Sequence, residues 1–269
     1  MCASRFYGVG ARLPRRARQR GRSQERPYRE LALIYDELVG DTAFELWKGN
    51  FERLRARHGL KFEIAADIAC GTGNAVRYLA GICQEVYGVD ASPEMLEVAR
   101  AKVESSNAVF LQQSFTGLEL PEQVDLLTCN FDSLNYLLRD EDLAETIFRF
   151  RSSVKPGGCC IFDMNTTREL KVEWGNSVFV HRVSAGIAIW ESDWDPDSRI
   201  NTLKMTNFIA KKSGLYQMSE ETHRERSYDT TFVLELLERA GFARSEAFDA
   251  KSLTRVTEDT RRVQFLAHR

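Results

Sequence analysis

The chain has 269 residues, of which 43% are hydrophobic and 28% charged, with a formal net charge of -2. That is enough apolar content for the core of one α/β domain and agrees with a soluble enzyme; no apolar run approaches a transmembrane helix and no secretory apolar segment follows the start, so neither a membrane partner nor export is expected. The six cysteines form no C-x-x-C pair and read as small core hydrophobes in a reducing, cytoplasmic compartment.

Residues 1–26 differ from the rest: eight arginines, no lysine and the single acid Glu25 give this arm about +7, leaving about -9 for residues 27–269. It is expected to be a disordered extension. A nucleic-acid arm, an organellar presequence, and a solvated extension or early start codon are open readings of it; Arg15-Arg16 resembles a twin-arginine signal, but no apolar stretch follows. Order is expected from near Tyr28. Leu31, Ile34, Tyr35 and Leu38 fall on one helical face, and after Gly40-Asp41 a second helix is expected to carry Phe44, Trp47, Phe51 and Leu54.

Ile64-Ala65-Ala66-Asp67-Ile68 then reads as a buried parallel strand, and Ala69-Cys70-Gly71-Thr72-Gly73-Asn74 as a tight loop opening a helix. Glycines at 71 and 73 admit backbone conformations barred to residues with a Cβ and let a ligand approach the main chain. The free N–H groups at the helix start favour a negative group. A second strand, Glu85-Val86-Tyr87-Gly88-Val89, ends at Asp90, a carboxylate suited to both hydroxyls of a ribose. A dinucleotide fingerprint would need a third glycine where Val76 stands, which sets that cofactor class aside.

The string from Asp67 to Asn74 resembles the first motif of the class I S-adenosylmethionine (SAM) dependent methyltransferases. The resemblance implies a Rossmann-like α/β fold with a seven-stranded, mostly parallel sheet, and SAM as cofactor. It implies that Asp67 orders the loop and the amino group, that Gly71 and Gly73 line the cofactor, and that Asp90 takes the ribose. Ala69, Asn74 and Ala91 complete this part of the expected cofactor set. Tyr35-Asp36 and Phe44-x-x-Trp47 resemble the small-molecule branch of the family, whose N-terminal helices (27–60 here) lie across the cofactor mouth. Tyr28, Tyr35 and Trp47 are therefore candidates for contact with cofactor or acceptor; a plain core stripe of aromatics is the other reading.

Farther along, Ser92-Pro93 caps a helix whose buried face holds Met95, Leu96, Ala99 and Val103, with Met95 placed beside an adenine. A third strand, 108–113, leads to Ser114-Phe115. Relatives usually carry an aspartate there to accept from the adenine amino group, followed by an apolar residue against the ring. Ser114 offers a neutral hydrogen bond, worth ~0.5–1.5 kcal/mol against ~1.5–3 for a charged one. A fourth strand, 124–129, ends in Asn130-Phe131-Asp132-Ser133-Leu134-Asn135-Tyr136, which resembles the family's D-S-L-N-Y element. Asn130 and Asp132 are candidates to orient the ligands, and Asp132 equally to cap the next helix.

A helix from Asp140 to Val154, a turn at Lys155-Pro156-Gly157-Gly158 and a fifth strand over 159–164 come next. Between 174 and 226, apolar runs broken at Gly186, Asp195-Pro196-Asp197 and Lys212-Ser213-Gly214 predict an antiparallel β insertion between strand five and the last helix, roofing the site or carrying an oligomer interface. His223, near its end, reads as a base or pocket residue, or as an exposed strand histidine. With four histidines and no ligand spacing, no metal is expected. A helix over 231–240 and an antiparallel pair, 242–248 and 262–268, end the chain.

The resemblance implies methyl transfer to a nitrogen or oxygen of a small-molecule acceptor. Alignment can supply ~7–11 kcal/mol of such a barrier, so a dedicated base is optional. A hydroxyl acceptor would need His223, Asp132 or a tyrosine such as Tyr35 to take its proton, and the lack of an obvious strong base leans towards an amine. A non-catalytic SAM-binding protein and a nucleic-acid methyltransferase using the arm are the alternatives. No Asn/Asp-Pro-Pro-aromatic string follows strand four and the folded part is acidic, so no nucleic acid is expected. A homo-oligomer is left open.

Overall fold

The computed structural model describes Tyr28 and residues 31–269 apart from 185 and 212. The arginine arm lies outside the described residues. Five parallel strands form the centre: β1 (Ile64–Ile68), β2 (Glu85–Asp90), β3 (Ala108–Gln112), β4 (Val124–Cys129) and β5 (Val154–Asn165). The terminal hairpin, β10 (Arg244–Asp249) and β11 (Arg262–His268), adds to β5 antiparallel, giving the order β10-β11-β5-β4-β1-β2-β3. The order of the strands reverses between β1 and β4, and a crevice opens there beyond the carboxyl ends of the strands.

Strand alternation divides the core in two. Ala65, Leu126 and Cys159 face one layer and their neighbours Ala66, Leu127 and Cys160 the other, as a period of two requires. The first layer packs against α1 (Tyr35–His58), α2 (Asn74–Ala80) and α3 (Pro93–Lys102), the second against α4 (Asp140–Ser153) and α5 (Thr230–Ala240). Phe51, Leu54, Ile147 and Phe150 are fully buried between helices and sheet, each such side chain contributing ~1.5–3 kcal/mol.

The predicted insertion is a separate four-stranded antiparallel sheet in the order β6 (Val178–Val183), β7 (Gly186–Asp195), β8 (Ile200–Ala210) and β9 (Tyr216–Arg226). Its Leu203 and Met205 pack with Leu31 and Ile34 in a third, smaller core beneath the N-terminal segment.

Some boundaries move. The two expected N-terminal helices are a short 3-10 turn, Leu31–Leu33, and one continuous helix α1 that passes through Gly40-Asp41. A glycine within a helix costs only ~1 kcal/mol, and the packing of Trp47, Phe51 and Leu54 on the sheet offsets it. α1 stops where expected of a glycine, with Gly59 at φ 63 closing on the Arg55 carbonyl. β5 begins at Val154 rather than Cys159: the expected turn at Lys155–Gly158 is absorbed as an irregularity in the β4–β5 ladder.

Candidate active site

The glycine loop is fixed by the strands on either side. Cys70 N–H donates to the Val89 carbonyl at 2.9 Å, and the Asp90 carboxylate accepts from Gly71 N–H and Ser92 N–H, each at 2.8 Å. Ala69 sits at φ 55 and Gly71 at φ 52. Below the loop, Asp67 is buried; its Oδ1 accepts from Thr128 Oγ1 at 2.6 Å and from Asn130 Nδ2 at 3.3 Å. Burial pushes its carboxyl up to about 7, against those two hydrogen bonds and with the Asp90 charge adding to the rise. Burial likewise raises Asp90.

From above, α1 is latched to the loop. Asp36 accepts from Lys102 Nζ and from Thr72 Oγ1, both at 2.6 Å, and from Asn74 Nδ2 at 3.1 Å. Lys102 also reaches Thr72 Oγ1 and Asn74 Oδ1 at 2.9 Å.

Two cavities meet here. The smaller, about 40 Å³, is bounded by Asp67, the loop residues Ala69 to Thr72, Asn74 and Asn130. The larger, about 310 Å³, lies between α1, the insertion and the carboxyl ends of β4 and β5, within the size range of small-molecule sites. Tyr35 and Phe131 line both. One wall of the larger cavity is apolar, with Leu38, Leu46, Trp174, Trp190, Leu203 and Met205. Trp47 lines it too, and both Trp47 and Trp190 have a buried indole N–H without a hydrogen-bond partner among the described residues.

The opposite wall is charged. Arg262 lies 2.7 Å from both Asp132 and Asp163, and Glu225 accepts from Asn165 Nδ2 at 3.0 Å. Phe131 and Asp132 hold consecutive left-handed backbone conformations, φ 57 and 55, an arrangement costing roughly 1–2 kcal/mol per residue. Asp163 offsets that strain by accepting from the Phe131 and Asp132 N–H groups at 3.0 and 2.7 Å. Burial raises Asp132, with Arg262 opposing and Asp163 assisting. Burial and then the Asp132 charge lift Glu225 well above the usual carboxylate range. Beside this wall runs a polar chain: Tyr28 Oη to Tyr136 Oη at 2.6 Å, Tyr136 Oη to His223 Nδ1 at 2.8 Å, and His223 Nε2 to Glu221 at 3.2 Å. Glu221 also accepts from the Tyr28 and Leu31 N–H groups at 2.7 and 3.1 Å.

Residues 65–158 match a family described as a methyltransferase domain. YqeM of Bacillus subtilis (strain 168), assigned by inference to the methyltransferases, is 31% identical over 219 residues, covering 80% of this chain and 86% of that protein. The chain belongs to the class I SAM-dependent methyltransferases. A SAM-dependent methyltransferase of Clostridium acetobutylicum ATCC 824 has a crystal structure that superposes with a TM-score of 0.80 at 27% identity, over 90% of this chain and 98% of that one. A dTDP-3-amino-3,6-dideoxy-alpha-D-glucopyranose N,N-dimethyltransferase of Streptomyces fradiae is 31% identical over 107 residues, 40% of this chain and 41% of its own.

The residues at this methyltransferase's loop fit SAM. A Cβ at Gly71 would meet nothing within 4 Å among the described residues, so the loop leaves room against its main chain. Asn130 Oδ1 is a buried acceptor without a partner among the described residues and lies on the same small cavity, suited to an amino group. Of the expected contacts, Asp67, Ala69, Gly71, Asn74 and Asn130 converge on that cavity. Gly73 does not; a Cβ there would stand 3.1 Å from Ala99 Cβ and Val103 Cγ2, so this glycine serves the packing of α3. Asp90, Ala91, Met95, Ser114 and Phe115 flank the loop on the β2–β3 side and line neither cavity; Met95 is buried, while Ala91 and Ser114 are exposed. Trp47 lies on the larger cavity rather than the loop's.

Asp132 precedes a 3-10 turn, Ser133–Tyr136, and makes no side-chain cap, because its carboxylate is turned to Arg262. His223 is 1% exposed, which overturns the exposed-strand reading; it lines neither cavity and instead backs Tyr136. Sequence reading missed Asp36, Lys102, Asp163, Glu221, Glu225 and Arg262. Of these Asp163 carried a legible signal, an acid near the carboxyl end of an apolar strand, as at Asp90.

Proposed function

We propose that this methyltransferase methylates an amine nitrogen on a small molecule held in the larger cavity. The observation that carries this reading is the charged wall: three carboxyl groups, Asp132, Asp163 and Glu225, face the guanidinium of Arg262. Even with Glu225 counted as neutral, two carboxylates face one guanidinium, so the wall is net negative. Such a wall concentrates ammonium ions in a low-dielectric site. The apolar face and the unpaired N–H groups of Trp47 and Trp190 suit an amine that also carries apolar surface and oxygen acceptors. The activity of the S. fradiae relative, N-methylation of an amino sugar nucleotide, is consistent with this class.

In the proposed arrangement Asp67 and Asn130 receive the amino group of SAM, Ala69, Gly71 and Asn74 its methionine chain, and Asp90 its ribose. Met95, Ala91, Ser114 and Phe115 are left for the adenine. Bound SAM supplies an activated methyl group on a positive sulfur. Tyr35 and Phe131, common to both cavities, exclude water at the meeting point and aim the nitrogen. Only an unprotonated amine has a lone pair to give, and Asp132, made more basic by burial, is the acceptor for the proton the nitrogen must lose. A hydroxyl acceptor is the second reading, favoured by the chain Tyr28–Tyr136–His223–Glu221, a route by which a hydroxyl proton could leave.

The test is methyl transfer from radiolabelled SAM to a panel of small amines and their hydroxyl isosteres, in parallel with SAM calorimetry. Amine methylation that Asp132→Asn lowers at least tenfold, with SAM affinity retained, is the expected result. Transfer to hydroxyls alone, abolished by Tyr136→Phe, would replace the amine reading with the second. Asp90→Ala is expected to weaken SAM at least tenfold, about 1.4 kcal/mol.

A further inference from the structure

At the opposite edge of the sheet, three polar side chains meet without satisfying one another. His58 is the last residue of α1, Glu246 lies on β10 and His268 is the last residue of β11. β11 places His268 beside Cys159, far from the carboxyl edge where the two cavities lie. One ligand-capable atom from each of the three lies within 4.8 Å of the others. His58 Nε2, Glu246 Oε1 and His268 Nε2 are all shut from solvent and have no hydrogen-bond partner among the described residues. His58 Nδ1 stands 3.8 Å from Glu246 Oε1, too far for a hydrogen bond, and the two imidazole centroids are 5.8 Å apart. One orphaned buried polar atom is a minor defect; three on side chains that meet from separate elements call for a common partner.

We infer that His58, Glu246 and His268 form a binding site for one divalent transition-metal ion of the zinc class. Two imidazole nitrogens and one carboxylate oxygen suit Zn²⁺, Co²⁺ or Ni²⁺ rather than Mg²⁺ or Ca²⁺, which prefer all-oxygen sets, and water completes the coordination. The surroundings favour this assignment. The site sits at the C-terminal end of a 24-residue helix, where unpaired carbonyls present partial negative charge to a cation. Arg244 Nη2 lies 3.0 Å from Glu246 Oε2, which orients the carboxylate and leaves Oε1 turned to the histidines; its own charge is largely exposed to solvent. Both histidines line a surface cleft of about 410 Å³ that gives an ion a way in. The ion would tie the end of α1, whose first turn carries Tyr35 and Asp36, to the edge hairpin.

The site is tested on the untagged full chain after chelator dialysis, by titration with Co²⁺ followed in the visible spectrum, then with Zn²⁺. The expected result is one equivalent of Co²⁺ with d–d bands, displaced by Zn²⁺, and a Tm rise of roughly 5 °C at a hundredfold excess over Kd. His58→Ala, His268→Ala and Glu246→Gln should each weaken the ion at least tenfold, with far-UV circular dichroism confirming that they fold; Glu246→Gln keeps the test open if a histidine variant does not. Absence of d–d bands and of a Tm shift, bands that persist in Glu246→Gln and the histidine variants, or a near-ultraviolet thiolate band marking a cysteine site, would each overturn the assignment. None of these readouts depends on SAM or on an acceptor.

Discussion

Asp67 is the side chain whose charge state matters most to the small cavity, because it is an acid held where water cannot reach it. Its folded pKa, about 7, lies above its ordinary value of 3.8, so between those pH values the folded chain binds a proton that the unfolded chain releases. The resulting stability is complete below pH 3.8 and lost as pH rises through about 7. Calorimetric Tm without SAM should therefore fall across this window, and Asp67→Asn should flatten the slope. It would not abolish the slope, since Asp90 and Glu225 are raised in the same direction. If Asp67 receives the cofactor's amino group, SAM affinity should rise over the same window in the wild type and not in the variant. Much at this scale was legible. Asp67, Gly71 and Asn130, which border the small cavity, stand at or just beyond the ends of β1 and β4 in an order read directly from the chain. Arg262 and Asp132 were not paired by any sequence signal, since their meeting depends on β11 inserting beside β5. Asp36 and Lys102 likewise meet only because α1 lies over the loop.

Among the elements, the loop between β1 and α2 joins two glycines with different duties. Gly71 and Gly73 both have positive φ, 52 and 81, so alanine at either should cost roughly 1–2 kcal/mol in backbone strain. Only at Gly73 would the new methyl also press on Ala99 of α3 and on Val103, which ends that helix. Gly73→Ala is therefore expected to lower Tm more, whereas Gly71→Ala is expected to lose more SAM affinity for a smaller loss of Tm; denaturation and calorimetry on the pair separate the two. The strands of the insertion were legible from alternation and turn residues. The unbroken course of α1 was not: Gly40-Asp41 is a sound local stop signal, and what overrides it is burial of Trp47, Phe51 and Leu54 against strands that come later in the chain. His58, Glu246 and His268 show the same limit, since ligand spacing is sought within short windows and these three sit on separate elements.

For the molecule as a whole, charge is divided between an arm of about +7 and a remainder of about -9. Deleting residues 1–26 should leave Tm, SAM affinity and turnover of a small amine unchanged within twofold; a marked loss of turnover would make the arm part of the acceptor grip. The two cavities raise a different matter. Tyr35 and Phe131 are party walls, each belonging to two rooms at once, and Tyr35 neighbours Asp36, whose carboxylate is tied to the loop. A ligand that settles either ring on one side fixes its position for the other, so the two affinities are joined by a single coupling free energy. Whatever factor SAM adds to acceptor binding, the acceptor must add to SAM, and typical values are 5- to 150-fold. Measured in both directions the two factors should agree, and in Tyr35→Ala both should fall towards one.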